Sequence, residues 1–484
     1  MTFQEENDKL LQNIVDAFYN YFQSGKMETE RDINSIPMLE LNITSACNQA
    51  CEYCYLVKHG NELYPKEIRD EETILKNLDI YLNYCLENGF SFNRVDLFSG
   101  EIWGMSFGNK VLSTILSYMR KGLYIGFIMI PSNCSFVLND KAVEQIEYFI
   151  EQYDFCGCRL CISCSNDGYV IDKQSRPFRG NGNTDKYKTD EYYEKLFKFC
   201  KKHNYGFHPM ISAHSIDKWP ENYEWWVKKL DEYGFDPPLY SMMLLEVRND
   251  EWTDEAITGY IKYLHRVLTM DLNTIWKGYE DILYKTVFAR HKEKFETYLE
   301  KVPEDHPLKK LDNSSTWFPY GFGYNSRSMG CTVDRALSIR LGDLALIPCH
   351  RTCYEKFVYG KLKVENNKIV GLHAQNPLLA NKIYNSSFKT NFVCDRCFMN
   401  ERCTKGCYGA QYEANKELFY PAKTVCKLYK VKFLFTYLAG KWLFKHYDVG
   451  TDDSTFGIED DIFRELIKDK EYKKWIMLID SILG

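Results

Sequence analysis

Six strand-like apolar runs alternate with helix-like segments between residues 37 and 270, and this alternation constrains the fold more than any other feature. The strand-like runs are 37–43, 94–98, 125–130, 159–165, 206–213 and 240–246. The helix-like segments lie near 70–89, 108–121, 140–153, 189–203, 221–233 and 254–268. Such an alternation predicts an α/β fold, in which helices cover a parallel sheet. We expect a partial (β/α)6 barrel related to the TIM barrel, whose sites lie at the C-terminal ends of the strands.

Changes in composition divide the chain into five predicted regions. They are an N-terminal helix (1–36), the barrel (37–270), a helical connector with an aromatic and glycine-rich loop (271–330), a small cysteine-rich domain (331–430) and a C-terminal helical segment (431–484). Within the cysteine-rich domain, "KLKVENNKIVGL" at 361–372 predicts a β-hairpin that turns at Asn366 and Asn367.

Composition excludes several classes of protein. The formal net charge is −6 and no long basic run occurs, so we expect no nucleic-acid partner. No stretch of ~18 apolar residues is present, which predicts no membrane span; the segment 433–444 is short, contains Lys441 and predicts a packed amphipathic helix. Eighteen cysteines without an export signal favour metal or redox chemistry in a reducing compartment. We therefore expect a cytoplasmic, oxygen-sensitive protein.

Three cysteines crowd the stretch "TSACNQACEYCYLV" (44–57), directly after the first predicted strand. Cys47, Cys51 and Cys54 have the spacing C-x3-C-x2-C. Thiolates are the usual ligands of iron–sulfur clusters, and three of them leave one iron of a cubane open. An open coordination position is typical of a catalytic metal rather than a structural one. The alternatives are chance clustering or a zinc site with His59 as its fourth ligand.

This triad resembles the signature of the radical S-adenosylmethionine (SAM) superfamily, in which an aromatic residue such as Tyr53 commonly precedes the last cysteine. The resemblance implies a [4Fe–4S] cluster whose open iron is chelated by SAM. It also implies reductive cleavage of SAM to a 5′-deoxyadenosyl radical, which abstracts a hydrogen atom from a substrate.

Stretches after three further strands resemble motifs of the same superfamily. "SGEI" (99–102) resembles the Gly-Gly-Glu-Pro motif but lacks its first glycine and its proline, "PSNCS" (131–135) resembles Thr-Asn-Gly, and 165–176 resembles a Ser-x-Asp-Gly stretch followed by Asp and Arg. An Asn-Asp-Gly run is also typical of a simple turn. The resemblance implies SAM or substrate contacts from Tyr53, Ser99, Gly100, Glu101, Ser132, Asn133, Ser165, Asp167, Asp172 and Arg176.

A second set of cysteines lies in the C-terminal third. Its run C-x2-C-x5-C-x3-C, followed by one more cysteine, resembles the SPASM domain, which holds two auxiliary [4Fe–4S] clusters. The gap between Gly342 and Cys349 is six residues, where that family usually has four. The resemblance assigns Cys331, Cys349 and Cys407 to the first auxiliary cluster, with Cys353 as a candidate fourth ligand, and Cys394, Cys397, Cys403 and Cys426 to the second. A zinc ribbon is the alternative for 394–407.

Four other residues are candidates for catalysis or substrate contact. His350 follows Cys349 where sulfatase-maturing enzymes carry a catalytic aspartate, and histidine takes a proton near neutral pH. Arg351 beside it is suited to binding a carboxylate. Glu246 and Arg248 end the sixth strand. A structural histidine and a salt-bridged strand end are the alternatives.

A further cluster, "CGCRLCISC" (156–164), has ferredoxin-like spacing. We predict no metal site there, because 159–165 is the fourth predicted strand. Cys161 and Cys164 are three positions apart, and an odd spacing points their side chains to opposite faces of a strand.

The resemblance implies hydrogen abstraction by an enzyme that matures a ribosomally made peptide or protein, through a cross-link, thioether, oxidation or epimerisation. Its cofactors are three [4Fe–4S] clusters and SAM, and its reductant is a flavodoxin or ferredoxin. About 36 residues precede the first strand, so we expect that a separate protein recognises the leader or that no leader recognition is used. Two alternatives remain: a dehydrogenase of an amino sugar or cyclitol, and an iron–sulfur electron carrier or scaffold without catalysis.

Overall fold

The computed structural model describes residues 35–98, 100–104, 107–235, 242, 244–274, 336–384, 392–399, 403, 407–446 and 458–484. The predicted N-terminal helix and most of the connector, together with Ser99 and Cys331, lie outside the described residues. The chain divides into two compact units. The first contains residues 1–167, 172–208 and 331–387, and the second contains 168–171, 209–330 and 388–484.

Strands and helices follow one another in the order that the alternation predicts. The strands are β1 (Ser35–Asn42), β2 (Ser91–Phe98), β3 (Tyr124–Ile125), β4 (Phe127–Ser132), β5 (Arg159–Cys164), β6 (Met210–Ile211), β7 (Leu245–Glu246), β8 (Ala336–Arg340), β9 (Ala345–Ile347), β10 (Gly360–Glu365) and β11 (Lys368–Ala374). The first helices are α1 (Tyr55–Leu63), α2 (Glu71–Glu87), α3 (Gly108–Arg120), α4 (Asp140–Phe155), α5 (Tyr169–Ser175), α6 (Asn183–Tyr187), α7 (Asp190–His203), α8 (Trp219–Glu232) and α9 (Asp254–Thr274). The later helices are α10 (Pro377–Tyr384), α11 (Phe392–Asp395), α12 (Tyr408–Asn415), α13 (Lys423–His446), α14 (Ile458–Leu466) and α15 (Lys470–Leu483).

One sheet organises the first unit. Its strand order is β11-β10-β9-β8-β1-β2-β4-β5, with β3 paired to β2. The pairs from β8 through β1, β2 and β4 to β5 are parallel, whereas β8 to β11 pair in antiparallel fashion. The central parallel sheet confirms the predicted α/β class.

The two faces of this sheet differ in chemistry because successive side chains of a strand point in opposite directions. On one face, Leu39 and Leu41 belong to the apolar core, which residues of α2, α3 and α4 complete. On the other face, Glu40 of β1 lies opposite Asp96 of β2 and Ser338 of β8, and all three are buried. The polar face is therefore the one that carries groups suited to chemistry.

Two strands of the first unit were not predicted. β8 pairs with β1, and the turn between β8 and β9 approaches the loop after α1 so closely that a Cβ atom on Gly342 would lie 2.0 Å from the carbonyl oxygen of Ile68. The predicted hairpin is confirmed as β10 and β11. Its turn residues Asn366 and Asn367 have φ angles of 52° and 61°, the left-handed conformation that a tight hairpin turn requires.

In the second unit, β6 and β7 pair with each other in parallel over two residues each, and residues 240, 241 and 243 of the last predicted strand lie outside the described residues. Pro209 precedes β6 and has no backbone N–H to donate, which explains why this strand is shorter than predicted. The segment 433–444 lies within α13, where Phe433, Leu434 and Phe435 are fully buried. Among the described residues, no helix has both the length and the apolar character needed to span a membrane.

The cysteine group at 156–164, which has ferredoxin-like spacing, overlaps a strand as predicted. β5 spans Arg159–Cys164, so Cys161 and Cys164 belong to a strand, while Cys156 and Cys158 precede it. Cys164 is fully buried, and Cys134 and Cys200 are buried beside it, which agrees with cysteine acting as a small apolar residue.

Candidate functional site

The cysteine triad lies in the loop that joins β1 to α1. Cys54 begins α1, where its carbonyl oxygen accepts hydrogen bonds from the N–H groups of Val57 and Lys58. Burial, followed by the charge of Glu101, raises the pKa of Cys47 to about 12. Burial also raises the pKa of Cys51 to about 11. These thiols are therefore neutral in the metal-free chain, and metal ligation is what would hold them as thiolates.

Backbone contacts hold the loop 43–54, here called the triad loop, against the residues that follow β2. The N–H groups of Gly100 and Glu101 donate to the carbonyl oxygens of Thr44 and Ala46, each at 2.9 Å. A Cβ atom on Gly100 would lie only 2.0 Å from the Ala46 oxygen. The approach of the two loops therefore requires glycine at position 100.

Glu101 is brought together with two other predicted residues. Its buried carboxylate accepts hydrogen bonds from Ser132 Oγ at 2.9 Å and from the Asn133 N–H at 2.6 Å. Burial raises the pKa of Glu101 to about 7, although these hydrogen bonds act in the opposite direction. A positively charged group beside Glu101 would favour the carboxylate, so the site is suited to binding an amine.

A buried hydrogen-bond network connects the triad loop to the segment after β5. Tyr53 donates its hydroxyl hydrogen to Asp167 at 2.8 Å, and Arg176 Nη1 donates to the Tyr53 oxygen at 2.8 Å. Ser175 also donates to Asp167, at 2.7 Å. The charge of Arg176 is the strongest influence that lowers the pKa of Cys51, which places the guanidinium next to the triad. Asp167 therefore positions Tyr53 and Arg176 within the protein.

The predicted residue Ser165 contributes through its backbone. Its N–H donates to the carbonyl oxygen of Ser132 at 2.7 Å, which ties the end of β5 to the end of β4. Asp172 is fully buried and accepts hydrogen bonds from Tyr193 and Lys188. Lys188 was not predicted, because a lysine within "DKYKTDEYY" indicates a solvated, charged surface. Its side chain is instead completely buried and pairs with Asp172.

His208 is a second residue that the sequence analysis missed. Its N–H donates to the Cys164 carbonyl at 2.6 Å, and its Nε2 atom is buried with no hydrogen-bond partner among the described residues. Burial, followed by the charge of Arg176, lowers the pKa of His208 to about 4. A neutral imidazole with an unpaired nitrogen therefore lies near the Arg176 guanidinium.

Replacing His208 with glutamine is expected to remove part of the pH dependence of stability. Histidine in the unfolded chain takes up a proton below about pH 6.5, whereas folded His208 does so only near its lowered pKa. Through this residue, the free energy of unfolding of the wild-type chain should therefore fall by about 3 kcal/mol as the pH is lowered from 6.5 to 4. Urea unfolding of the metal-free chain at several pH values measures the effect. Equal pH dependence in wild type and H208Q would contradict it.

The turn 349–353 carries four predicted residues and packs beside α1 in the first unit. His350 donates its backbone N–H to Glu40 at 3.1 Å, its Nδ1 lies 3.6 Å from the other Glu40 oxygen, and its ring stacks on Phe98 at 3.8 Å. The Arg351 guanidinium lies 5.2 Å from the centre of the Tyr55 ring. Glu40 was not predicted, because a single acidic residue in "PMLELNI" carries no motif.

The two cysteines of this turn differ in accessibility. Cys349 is 8% exposed, whereas Cys353 is fully buried, with Sγ 3.5 Å from the Tyr64 hydroxyl. The carbonyl oxygen of Cys353 accepts from Arg340 Nη1, which also contacts the Leu63 carbonyl at the end of α1. The structure thus brings Cys349 and Cys353 close to the helix that begins at the triad.

The C-terminal cysteines surround one cavity of about 50 Å³ in the second unit. The cavity is lined by Cys394, Cys397, Cys403, Cys407 and Cys426, together with Ala410, Gln411, Pro421, Ala422, Val425 and Tyr429. Soft sulfur donors in an apolar wall fit an iron–sulfur cluster, and they also satisfy zinc. Cys407 lines the same cavity as the four cysteines assigned to the second auxiliary cluster.

Glu246, at the end of β7 in the second unit, has partners within that unit. Its carboxylate accepts from the Tyr260 hydroxyl and from Lys432 Nζ, each at 2.6 Å. Burial opposes the charged form, but Lys432 and Tyr260 outweigh it and lower the pKa of Glu246. This is the salt-bridged strand end that the sequence analysis left as an alternative. Arg248 follows in the turn after β7 and is half-buried.

Fold and site together define an α/β protein with a cysteine triad after its first strand and a five-cysteine cavity near its C-terminus. The chain is similar to the solved structure of native anSMEcpe with bound AdoMet and Kp18Cys peptide, at 15% identity and a TM-score of 0.49, over 85% of this chain and 99% of that one. It is also similar to Streptococcus suis SuiB bound to precursor peptide SuiA, at 15% identity and a TM-score of 0.41, over 86% of this chain and 79% of that one. No protein-family model and no curated protein matches the chain.

Proposed function

We propose that this chain is a radical SAM enzyme that modifies a ribosomally made peptide or protein. The observation that carries the proposal is the triad loop itself, in which three cysteines after β1 are held beside the buried carboxylate of Glu101. Cys47, Cys51 and Cys54 would hold a [4Fe–4S] cluster with one open iron for SAM. The bound cluster and SAM would supply an electron and a 5′-deoxyadenosyl radical that abstracts hydrogen from the substrate.

The residues of the chain would bind and orient these groups. Glu101, held by Ser132 and Asn133, is placed to accept the amine of SAM. Arg176 is placed to balance negative charge beside Cys51. Its Nη1 lies 3.9 Å from Asp167 and its Nε 3.8 Å from Asp172, so these buried carboxylates hold the guanidinium in position.

His350 is the proposed proton acceptor. Its Nδ1 faces Glu40, so Nε2 is the ring atom that would exchange a proton with substrate. Phe98 on one side of the ring limits its rotation. Arg351 beside it would bind a substrate carboxylate. Glu40 acts through His350 and is a positioning residue.

The remaining cysteines would hold two auxiliary clusters that accept an electron from the substrate or bind it. We assign Cys394, Cys397, Cys403 and Cys426 to one cluster, and Cys331, Cys349 and Cys407 to the other, with Cys353 as candidate fourth ligand. The reductant would be a flavodoxin or ferredoxin.

Replacing Cys397 and Cys426 together with serine is expected to remove about four of about twelve irons per chain. Cys397 and Cys426 line the same cavity, which supports assigning the two thiols to one cluster. Iron and sulfide analysis after anaerobic reconstitution measures the loss. A wild-type chain with only about four irons would contradict the auxiliary clusters, as would a double variant with unchanged iron.

Peptides encoded beside the gene test the substrate class. The reduced, reconstituted enzyme is incubated with SAM and each candidate peptide, and the peptide mass is measured. A mass change that requires SAM, or a changed stereocentre at constant mass, supports peptide maturation. Oxidation of an amino sugar or cyclitol, with every peptide unchanged, would favour the small-molecule alternative.

A further inference from the structure

Gln49, the middle residue between the first two cysteines of the triad, is held between two of the proposed iron ligands. Its side chain is 1% exposed. Its backbone N–H donates to Cys47 Sγ at 3.4 Å, and its Oε1 accepts from the Cys51 thiol at 3.6 Å. Arg179 Nε donates to its carbonyl oxygen at 3.1 Å, and Gln49 forms an antiparallel bridge with Phe178. These contacts fix the position of the side chain.

The side-chain nitrogen of Gln49 is an unexplained feature of this site. Nε2 is buried and has no hydrogen-bond partner among the described residues. Leaving such a donor unpaired is energetically unfavourable. The amide oxygen faces Cys51 because a neutral thiol donates its hydrogen to an oxygen.

Iron ligation would make the Cys51 sulfur prefer a hydrogen-bond donor, such as Nε2, to the amide oxygen. A sulfur bound to iron carries no hydrogen and acts only as an acceptor. Rotation of the terminal amide by half a turn exchanges Oε1 for Nε2 without moving the rest of the side chain. The unpaired donor would then face Cys51 Sγ, so ligation would supply the partner that Nε2 lacks.

We propose that Gln49 donates two N–H···S hydrogen bonds to the cluster ligands, from its backbone to Cys47 and from its side chain to Cys51, and that the side-chain bond raises the reduction potential of the cluster. The inference rests on the proposed function, because it requires a cluster at the triad. Hydrogen bonds to the sulfurs stabilise the more negative, reduced state, and they are among the factors that set cluster potentials.

The first test compares the variants Gln49→Met and Gln174→Met in the full, reconstituted chain. Methionine has a similar volume to glutamine and lacks the N–H donors, and Gln174 is exposed on α5. A redox titration monitored by EPR follows the signal of the triad cluster. This signal is identified as the one that is absent from the Cys54→Ala variant. We expect a more negative midpoint potential in Q49M, with wild-type iron content, and an unchanged potential in Q174M. An unchanged potential in Q49M would overturn the inference.

A second measurement needs no variant and therefore does not depend on how Q49M folds. The wild-type chain is labelled with ¹⁵N only in glutamine side chains. Pulsed EPR at the signal that is absent from Cys54→Ala detects coupling between the reduced triad cluster and nitrogen, which excludes Gln411 in the wall of the C-terminal cysteine cavity. We expect a ¹⁵N coupling, and its absence would contradict the side-chain hydrogen bond. A wild-type chain that forms no triad cluster would contradict the proposed function and this inference together. A cluster that shows neither effect would contradict the inference alone.

Discussion

Replacing Cys54 with alanine is expected to remove about four of about twelve irons per chain and to abolish the reductive cleavage of SAM. Cys54 ends the triad loop directly before α1, and its backbone carbonyl caps the first turn of that helix. With two cysteines left, the loop cannot provide three ligands to a cubane. The auxiliary sites are made by other cysteines, and they should keep their iron.

The matched control for this variant is Cys156→Ala. Cys156 lies at the C-terminus of α4 and belongs to the ferredoxin-like cluster for which we predict no metal. We expect wild-type iron content and wild-type SAM cleavage in the control. Iron loss from Cys156→Ala would show that the cluster at 156–164 does bind metal. Unchanged SAM cleavage in Cys54→Ala would contradict the function proposed for the triad.

Replacing Gly100 with alanine is expected to displace the triad loop and to reduce its iron loading. The added Cβ would lie 2.0 Å from the Ala46 oxygen, 2.5 Å from the Ala46 carbonyl carbon and 2.8 Å from the Ser45 oxygen. All three are backbone atoms, so no side-chain rotation can relieve the contact. Overpacking of this kind costs about 1–3 kcal/mol or more. The loss should appear as a lower thermal midpoint and fewer irons per chain.

Gly371→Ala is the control for the glycine prediction. Apart from its chain neighbours, no heavy atom lies within 4 Å of the position that its Cβ would take. Its φ angle is not positive, although the β10–β11 register shifts beside it. This variant should match wild type in thermal midpoint and in iron content. A Gly100→Ala chain that also matches wild type would show that the loop tolerates a side chain at this position.

The local features of the fold were predictable from the sequence. Each helix predicted between residues 70 and 268 is present within a few residues of its expected bounds, because its apolar residues recur at helical spacing. The hairpin was predictable because two adjacent asparagines favour left-handed backbone angles. The loops that carry Glu101, Ser132 and Asn133 were predictable because the ends of neighbouring parallel strands lie at the same edge of a sheet.

Long-range pairings were not predictable in the same way. β8 joins the sheet beside β1, although about 300 residues separate them in the chain, and no local pattern specifies that partner. Glu40 gains its importance only through contact with His350 from the far end of the same unit. Lys188 is buried by tertiary packing, whereas its charged sequence neighbours suggest exposure. His208 lies in the apolar run 206–213, which predicts burial but not an unpaired ring nitrogen. Such roles depend on contacts between residues that are far apart in the chain, and the periodicity of the sequence does not predict these contacts.

The most direct test of the account is the fate of SAM with the wild-type chain. The anaerobically reconstituted protein is reduced with dithionite, and 5′-deoxyadenosine is quantified after SAM is added. We expect 5′-deoxyadenosine and methionine to form together, at a rate that depends on the reductant. A chain with its full complement of iron and sulfide that leaves SAM intact under these conditions would contradict the proposal that the triad holds a catalytic cluster.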